Sequence, residues 1–392
     1  MMSKKILIKK KRKVLCVTGT RADYPRIKSV LREIKKSDKL HLSLVVTGSH
    51  LLKEYGSSIN EIINDKHQID DKIYMFKGDY NSPKGMLKAV ARCISGFADT
   101  LTKIKPDIVL LTVDRIETMA LAVSASLMNF PIAHVQGGEV TGTIDESIRH
   151  AVTKLSHIHF PSTKDAALRI KMMGELPSKI FKVGCPYIDE IKFMKSRSRR
   201  FLAKKYNLDY KRDFIIFTQH AVTTEFKSAS NQIKITLDAL KKFKDLQIIA
   251  FYSNTDAGGK EIISEILKQK NFRVIPNMDS KDFLSLMSHS SVMVGNSSAA
   301  IREAPSFGLP AVNIGSRQNG RLRAKNIIDV PHKSKLIVRA INKCLKDKAF
   351  RRSVGKSKNP YGDGNSAQRI VKILEKIKLD NKLIQKRINY EL

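Results

Sequence analysis

The chain alternates short runs of Val, Ile and Leu with helical patterns, and it does so twice. Lys13–Thr18 (KVLCVT), His41–Gly48 (HLSLVVTG), Pro106–Val113 (PDIVLLTV) and Pro131–Val135 (PIAHV) are apolar and are each followed by Gly, Asp or a helical stretch. His157–Phe160 and Ile180–Gly184 read as two more short strands. After Gly184-Cys185-Pro186 and a charged helix, the alternation restarts with Phe214–Thr218, Gln247–Tyr252, Phe272–Ile275, Ser291–Gly295 and Pro310–Ile314. Strands that are apolar throughout and separated by helices imply a parallel sheet covered on both faces. The expected fold class is therefore α/β, with two Rossmann-like doubly wound parallel-sheet domains facing a cleft. The boundary falls near residues 186–195 and is taken as 1–188 and 189–392. A last helix, about Ser366–Ile388, lies beyond the second sheet and is free to pack back on the first domain. In open sheets of this kind ligands bind outside the carboxyl ends of the strands.

Composition narrows the function. No apolar run approaches the roughly 18–20 residues of a spanning helix. The basic start MMSKKILIKKKRK leads into a strand rather than a signal-peptide core, so a cytoplasmic protein with no membrane partner is expected. The four cysteines (Cys16, Cys93, Cys185, Cys344) are far apart, which favours reduced, buried side chains over a metal site or disulfides. Lys and Arg number 72 against 37 Asp and Glu, a formal net charge of +35. Only Lys9–Lys13 and Lys195–Lys205 form dense clusters, without a nucleic-acid motif or interleaved stacking aromatics. The excess reads as lysine on solvated faces, with no nucleic-acid partner.

The unusual polar clusters fall just after strands. Gly19-Thr20-Arg21-Ala22-Asp23 feeds a helix, where free N–H groups and the Arg21 cation suit a diphosphate; Asp23 and Pro25 suit the helix start. Gly295-Asn296-Ser297-Ser298 offers a small-residue approach and hydroxyls for phosphate oxygens, with Glu303 placed to accept from ribose hydroxyls. Neither loop is a GxGxxG or P-loop motif. The densest group is Asp114-Arg115, His134 to Glu139 including Gln136, Asp145-Glu146 and Arg149-His150, with His220 from the second half. Several carboxylates, histidines and arginines in one place are what proton abstraction beside a weakly acidic carbon needs. Asp189-Glu190, His157 and His159 read as structural. No third ligand accompanies the pairs that might hold zinc, so no metal is expected.

These residues carry a resemblance. GTRADY, VDRIETMALA, AHVQGGEVTGTIDESIRHAVTKLSHIHF, TQHAVTTE, NTDAGGKE, GNSSAAIREAPSFGLPAVNIGSRQNGR and NPYGDGNSA together resemble the hydrolysing UDP-N-acetylglucosamine 2-epimerases, including the epimerase half of the bifunctional animal enzyme of sialic-acid synthesis. The match spans about residues 13–370, and GGEVTGTIDESIRHAVTKLSH is its most specific piece. The resemblance implies a GT-B-like pair of Rossmann domains, no cofactor, a homo-oligomer (dimer or tetramer), and a UDP-sugar substrate converted to UDP and N-acetylmannosamine through a glycal. It places Arg21, Arg115, His220, Asn254, Lys260, Ser297, Ser298, Glu303 and Arg321 along the nucleotide, and Asp114 and Asp145 at acid/base positions. His220 and Glu139 are expected to share proton transfer.

Two departures stand out. Family members commonly carry His-Gly where this chain has Thr112-Val113, and the animal enzyme has a glutamate where this chain has Gln136. Glutamine cannot serve as a base, although it can orient a sugar hydroxyl. The expected activity is hydrolysing 2-epimerisation of UDP-N-acetylglucosamine. The alternatives are the same reaction on a UDP- or GDP-2,4-diacetamido-trideoxy sugar, glycosyl transfer, and non-catalytic nucleotide-sugar binding.

Overall fold

The computed structural model describes residues 10–20, 23–52, 58–78, 83–141, 144–253, 258–276 and 278–390. The chain divides into two compact units, one made of Met1–Glu139, Ile144–Glu190 and Gly362–Leu392, the other of Val140–Thr143 and Ile191–Tyr361. The first contains β1 (Arg12–Thr18), β2 (Leu40–Thr47), β3 (Asp71–Ile73), β4 (Ile108–Thr112), β5 (Ile132–Val135) and β6 (Ile158–Phe160). These form one sheet in the order β3-β2-β1-β4-β5-β6, with every pair parallel. The second contains β7 (Phe214–Thr218), β8 (Gln247–Phe251), β9 (Phe272–Ile275), β10 (Val292–Gly295), β11 (Ala311–Ile314) and β12 (Ile327–Val330). Its order is β12-β11-β10-β7-β8-β9, again all parallel. The order turns at β1/β4 in one sheet and at β7/β10 in the other, which is where doubly wound sheets open their strand ends to ligands.

Alternation along β1 explains why its strand is apolar throughout. Val14 and Cys16 join the core beneath the helices Tyr24–Lys36 and Ser366–Lys376, whereas Leu15 and Val17 join the opposite core under Pro83–Ile104 and Ile116–Leu127. Successive side chains point to opposite faces, so a strand covered on both sides needs apolar residues at every position.

The C-terminal segment, placed after residue 189 with a last helix free to pack back on the first domain, belongs to the first unit. Its helix is also shorter than expected: Ser366–Lys376 ends where Ile377 turns extended, and only a short turn Asn381–Ile384 follows. Ala367, Ile370, Val371 and Leu374 bury against Val14, Leu40 and Leu44. Asp189 accepts from the N–H groups of Ser366 (3.0 Å) and Ala367 (2.7 Å), capping this helix from 177 residues away. Ile180–Gly184 forms no strand; Ile180 makes a single bridge to His159. The edge strands β3 and β12 were not expected: β3 reads DKI, and β12, IIDV, is four residues long and broken by Asp329. Among the described residues no helix is long and apolar enough to cross a membrane.

Candidate active site

In the first unit the loop after β1 is built around Asp23. This carboxylate accepts from Thr18 Oγ1 (2.5 Å) and from the N–H groups of Gly19 (3.0 Å) and Thr20 (3.1 Å). It points back into the loop and makes no cap bond to the helix Tyr24–Lys36, contrary to the expected capping role. Burial pushes its carboxyl up, opposed by these donors and by the charge of Arg115. Arg21 lies outside the described residues.

Glu117 closes the loop from below. It opens the helix Ile116–Leu127, is only 2% exposed, and its Oε2 has no hydrogen-bond partner. A Cβ on Gly19 would meet Glu117 Cγ at 2.9 Å, and one on Gly48, at φ +61°, would lie 2.5 Å from the Gly19 carbonyl oxygen and 2.6 Å from Glu117 Oε1. Burial raises the Glu117 carboxyl, and Arg115 opposes the rise. Sequence reasoning passed over this residue; its signal was an acid inside a helix of otherwise small and apolar residues (IETMALAVSASL).

Asp114 and Arg115 follow β4, and Asp145, in the first turn of the helix Ile144–Leu155, lies near enough for its charge to act on Arg115. Burial lowers the Arg115 guanidinium, but the charges of Glu117, Asp145, Asp114 and Asp23 outweigh it and raise it above its ordinary value. Asp114 accepts from Arg149 Nη2, and the other arm of Arg149 donates to the Glu139 carbonyl. Arg149 and Asp145 share the helix Ile144–Leu155, so one element sets both. Glu139 is buried. His150 pairs with Glu146 on the same helix at 3.7 Å.

The Thr112-Val113 departure has a structural consequence. Val113 sits at φ +62°, a conformation natural to glycine and strained for a β-branched residue. The turn is held by Val113 N–H donating to the Val135 carbonyl (3.2 Å) and by His134 Nε2 donating to the Val113 carbonyl (2.9 Å). His134 is fully buried and burial pushes it down to about 4, so it is a neutral brace. Gln136, also left-handed at φ +66°, donates from Nε2 to Cys185 Sγ (2.8 Å) and accepts from Arg26 Nη1 (3.3 Å).

In the second unit His220 follows β7 and Asn296 follows β10. The two are joined by a pair of hydrogen bonds: the His220 N–H donates to Asn296 Oδ1, and Asn296 Nδ2 donates to the His220 carbonyl. Burial and the charge of Arg317 push the His220 imidazole down to about 3. Ser297 accepts from the Ala299 N–H through Oγ at 3.3 Å, and both Ser297 and Ser298 are half-buried. The helix that follows is only Ala299–Arg302, so Glu303 is its C-terminal cap rather than a residue two turns in; Glu303 is buried. Arg321 Nε donates to the Val140 carbonyl at 3.3 Å. Lys260 is exposed at the start of the helix Gly259–Leu267, and Asn254 lies outside the described residues. Among the described residues no three His, Cys, Asp or Glu side chains come together as a metal site. Asp189, Glu190, His157 and His159 bond to the fold: Asp189 caps the helix Ser366–Lys376, Glu190 pairs with Arg32, His157 Nδ1 accepts from the Ile132 N–H, and His159 meets Glu175.

The family profile described as UDP-N-acetylglucosamine 2-epimerase matches residues 32–375. The chain is similar to the UDP-N,N'-diacetylbacillosamine 2-epimerase (hydrolyzing) of Legionella pneumophila, 37% identical over 378 residues and covering 96% of this chain and 98% of that protein. It is also similar to a UDP-N-acetylglucosamine 2-epimerase of Neisseria meningitidis, 36% identical over 334 residues and covering 84% and 86%. In fold it is similar to the crystal structure of UDP-GlcNAc 2-epimerase from Neisseria meningitidis bound to UDP-GlcNAc, with a TM-score of 0.82 at 22% identity over 93% of this chain and all of that one. The chain belongs to the UDP-N-acetylglucosamine 2-epimerase family, nucleotide-sugar epimerases whose hydrolysing members its sequence resembles.

Proposed function

We propose that this chain is a hydrolysing 2-epimerase of a UDP-2-acetamido sugar. UDP leaves carbon 1 with the bonding electron pair while a base takes the proton from carbon 2, giving a glycal. Water then adds at carbon 1 and a proton returns to the opposite face of carbon 2, so the products are UDP and the free 2-epimeric sugar. The observation that carries this reading is the group of Asp114 and Arg115 after β4 with Asp145 in the first turn of the helix Ile144–Leu155, in a member of this family. Asp114 and Asp145 are assigned the proton transfers, shared with His220 and Glu139. Arg115, with Arg21 and the Ser297/Ser298 turn, meets the charge that grows on departing UDP, the largest electrostatic change in the reaction. Asn254, Lys260, Glu303 and Arg321 complete the nucleotide contacts in this reading. Gln136 orients a sugar hydroxyl, since its amide can donate and accept but not take a proton.

Relatives of nearly equal identity differ in the sugar they are named for. The one matching over 96% of this chain is named for UDP-N,N'-diacetylbacillosamine, which favours a 2,4-diacetamido-trideoxy sugar over UDP-N-acetylglucosamine. A panel of both UDP sugars and their GDP counterparts, followed by UDP or GDP release, tests the reading. Turnover of one with release of its free 2-epimer supports it; tight binding of all without release makes the chain a binding protein, and transfer to an acceptor makes it a glycosyltransferase.

A further inference from the structure

His220 stands two residues beyond the end of β7, where the sheet no longer pairs its backbone. Buried backbone groups outside regular structure need partners. The Asn296 side chain supplies both: Oδ1 accepts from the His220 N–H at 2.7 Å and Nδ2 donates to the His220 carbonyl at 2.8 Å. A fixed donor and a fixed acceptor on His220 permit only one orientation of the amide, so the pairing is specific to Asn or Gln chemistry. Asn296 is itself held on both sides. Its N–H donates to the Thr218 carbonyl at 3.1 Å, and its carbonyl accepts from Gln318 Nε2 at 2.8 Å and Arg317 Nη1 at 3.3 Å. The approach depends on Gly295, at φ +125°, where a Cβ would lie 2.0 Å from the Thr218 carbonyl oxygen. Asn296 is 2% exposed and thus ties the ends of β7, β10 and β11 into one unit.

We propose that Asn296 is a positioning residue that aims the His220 imidazole, acting on the proposed proton transfer through the His220 backbone and not by touching the sugar. This inference rests on the epimerase reading. Its signature is non-additivity: once the imidazole is gone, the clamp has nothing left to aim.

The test is a double-mutant cycle of Asn296→Ala and His220→Ala, read by kcat, KM, UDP affinity by calorimetry, and hydrogen exchange at the residue-220 amide. Asn296→Ala is expected to lower kcat by about 10–100-fold, as a misaimed group does, and to speed exchange at that amide. UDP affinity should change by less than about threefold, and Asn296→Ala in the His220→Ala background should cost less than about a further twofold in kcat. Asn296→Asp keeps the acceptor and loses the donor; it should fall between wild type and alanine, and it carries the cycle if the alanine variant does not fold. Additive losses in the cycle, or full kcat in folded Asn296→Ala, overturn the proposal in an active wild-type enzyme. No epimerisation by the wild type overturns the functional reading itself, and the positioning role with it.

Discussion

Arg149 is bonded to Asp114 from a helix 35 residues further along the chain, and the arginine side chain is almost completely buried. A guanidinium cannot shed its charge, so a buried one requires a counter-ion, and Asp114 supplies it. The carboxylate assigned to proton transfer is therefore also fixed by a structural partner.

Two effects of Asp114→Asn follow. Loss of the acid/base group should lower kcat by about 100-fold or more. Loss of the counter-ion should lower stability by about 1–3 kcal/mol. Asp145→Asn, at the other carboxylate assigned to proton transfer, should likewise lower kcat by about 100-fold or more. If either variant loses UDP affinity as steeply as turnover, the acid/base assignment is wrong.

Gly48 and Gly78 share a left-handed backbone, at φ +61° and +62°, but only Gly48 is packed against neighbours. Alanine at Gly78 should cost only the backbone strain, about 1 kcal/mol. Alanine at Gly48 should cost more than that and abolish activity, because the added carbon would strike the Gly19 carbonyl and Glu117 beneath the β1 loop. Urea unfolding of the two variants, with kinetics, checks this; equal losses would mean the β1–Glu117 packing is unimportant.

His134 gives a pH dependence. Its folded-state value is pushed from 6.5 to about 4 by burial, so between these values the unfolded chain binds the proton and the folded chain does not. The contribution is fully present above about pH 6.5 and is lost as pH falls toward 4, with a slope of up to about 1.4 kcal/mol per pH unit. Buried Asp23 and Glu117, whose carboxyls are raised, act in the opposite sense, so the comparison is between wild type and His134→Gln. The variant should be less stable at pH 7.5 and lose less on going to pH 5; parallel losses would remove His134 from the account.

Glu303→Ala should weaken UDP binding by about tenfold, the worth of one or two hydrogen bonds to a carboxylate. Calorimetric titration with UDP measures this directly, and unchanged affinity would exclude Glu303 from the nucleotide site.

The central strands were legible because each is buried on both faces and needs an unbroken apolar run. The edges β3 and β12 lack that requirement, so β3 reads DKI and the apolar residues of β12, IIDV, make only a short run broken by Asp329. The clusters at Asp114, Gln136, Asp145 and Ser297 were visible as polar breaks after apolar strands. Glu117 and Asn296 act through partners distant in sequence, Gly19 and Gly48 for one and His220 for the other, which no local period reveals. The same holds for Asp189, whose partner helix begins at Ser366. His134 showed as a candidate proton carrier and proved to be a brace, because only the fold shows that its ring faces the Val113 carbonyl.

The most direct measurement is proton NMR of the reaction in heavy water with UDP-N,N'-diacetylbacillosamine and, in parallel, UDP-N-acetylglucosamine. The account predicts that one of them yields one equivalent of UDP and the free 2-epimer carrying deuterium at carbon 2. Release of a sugar with its original configuration and its carbon-2 proton, or no release from either, would contradict it.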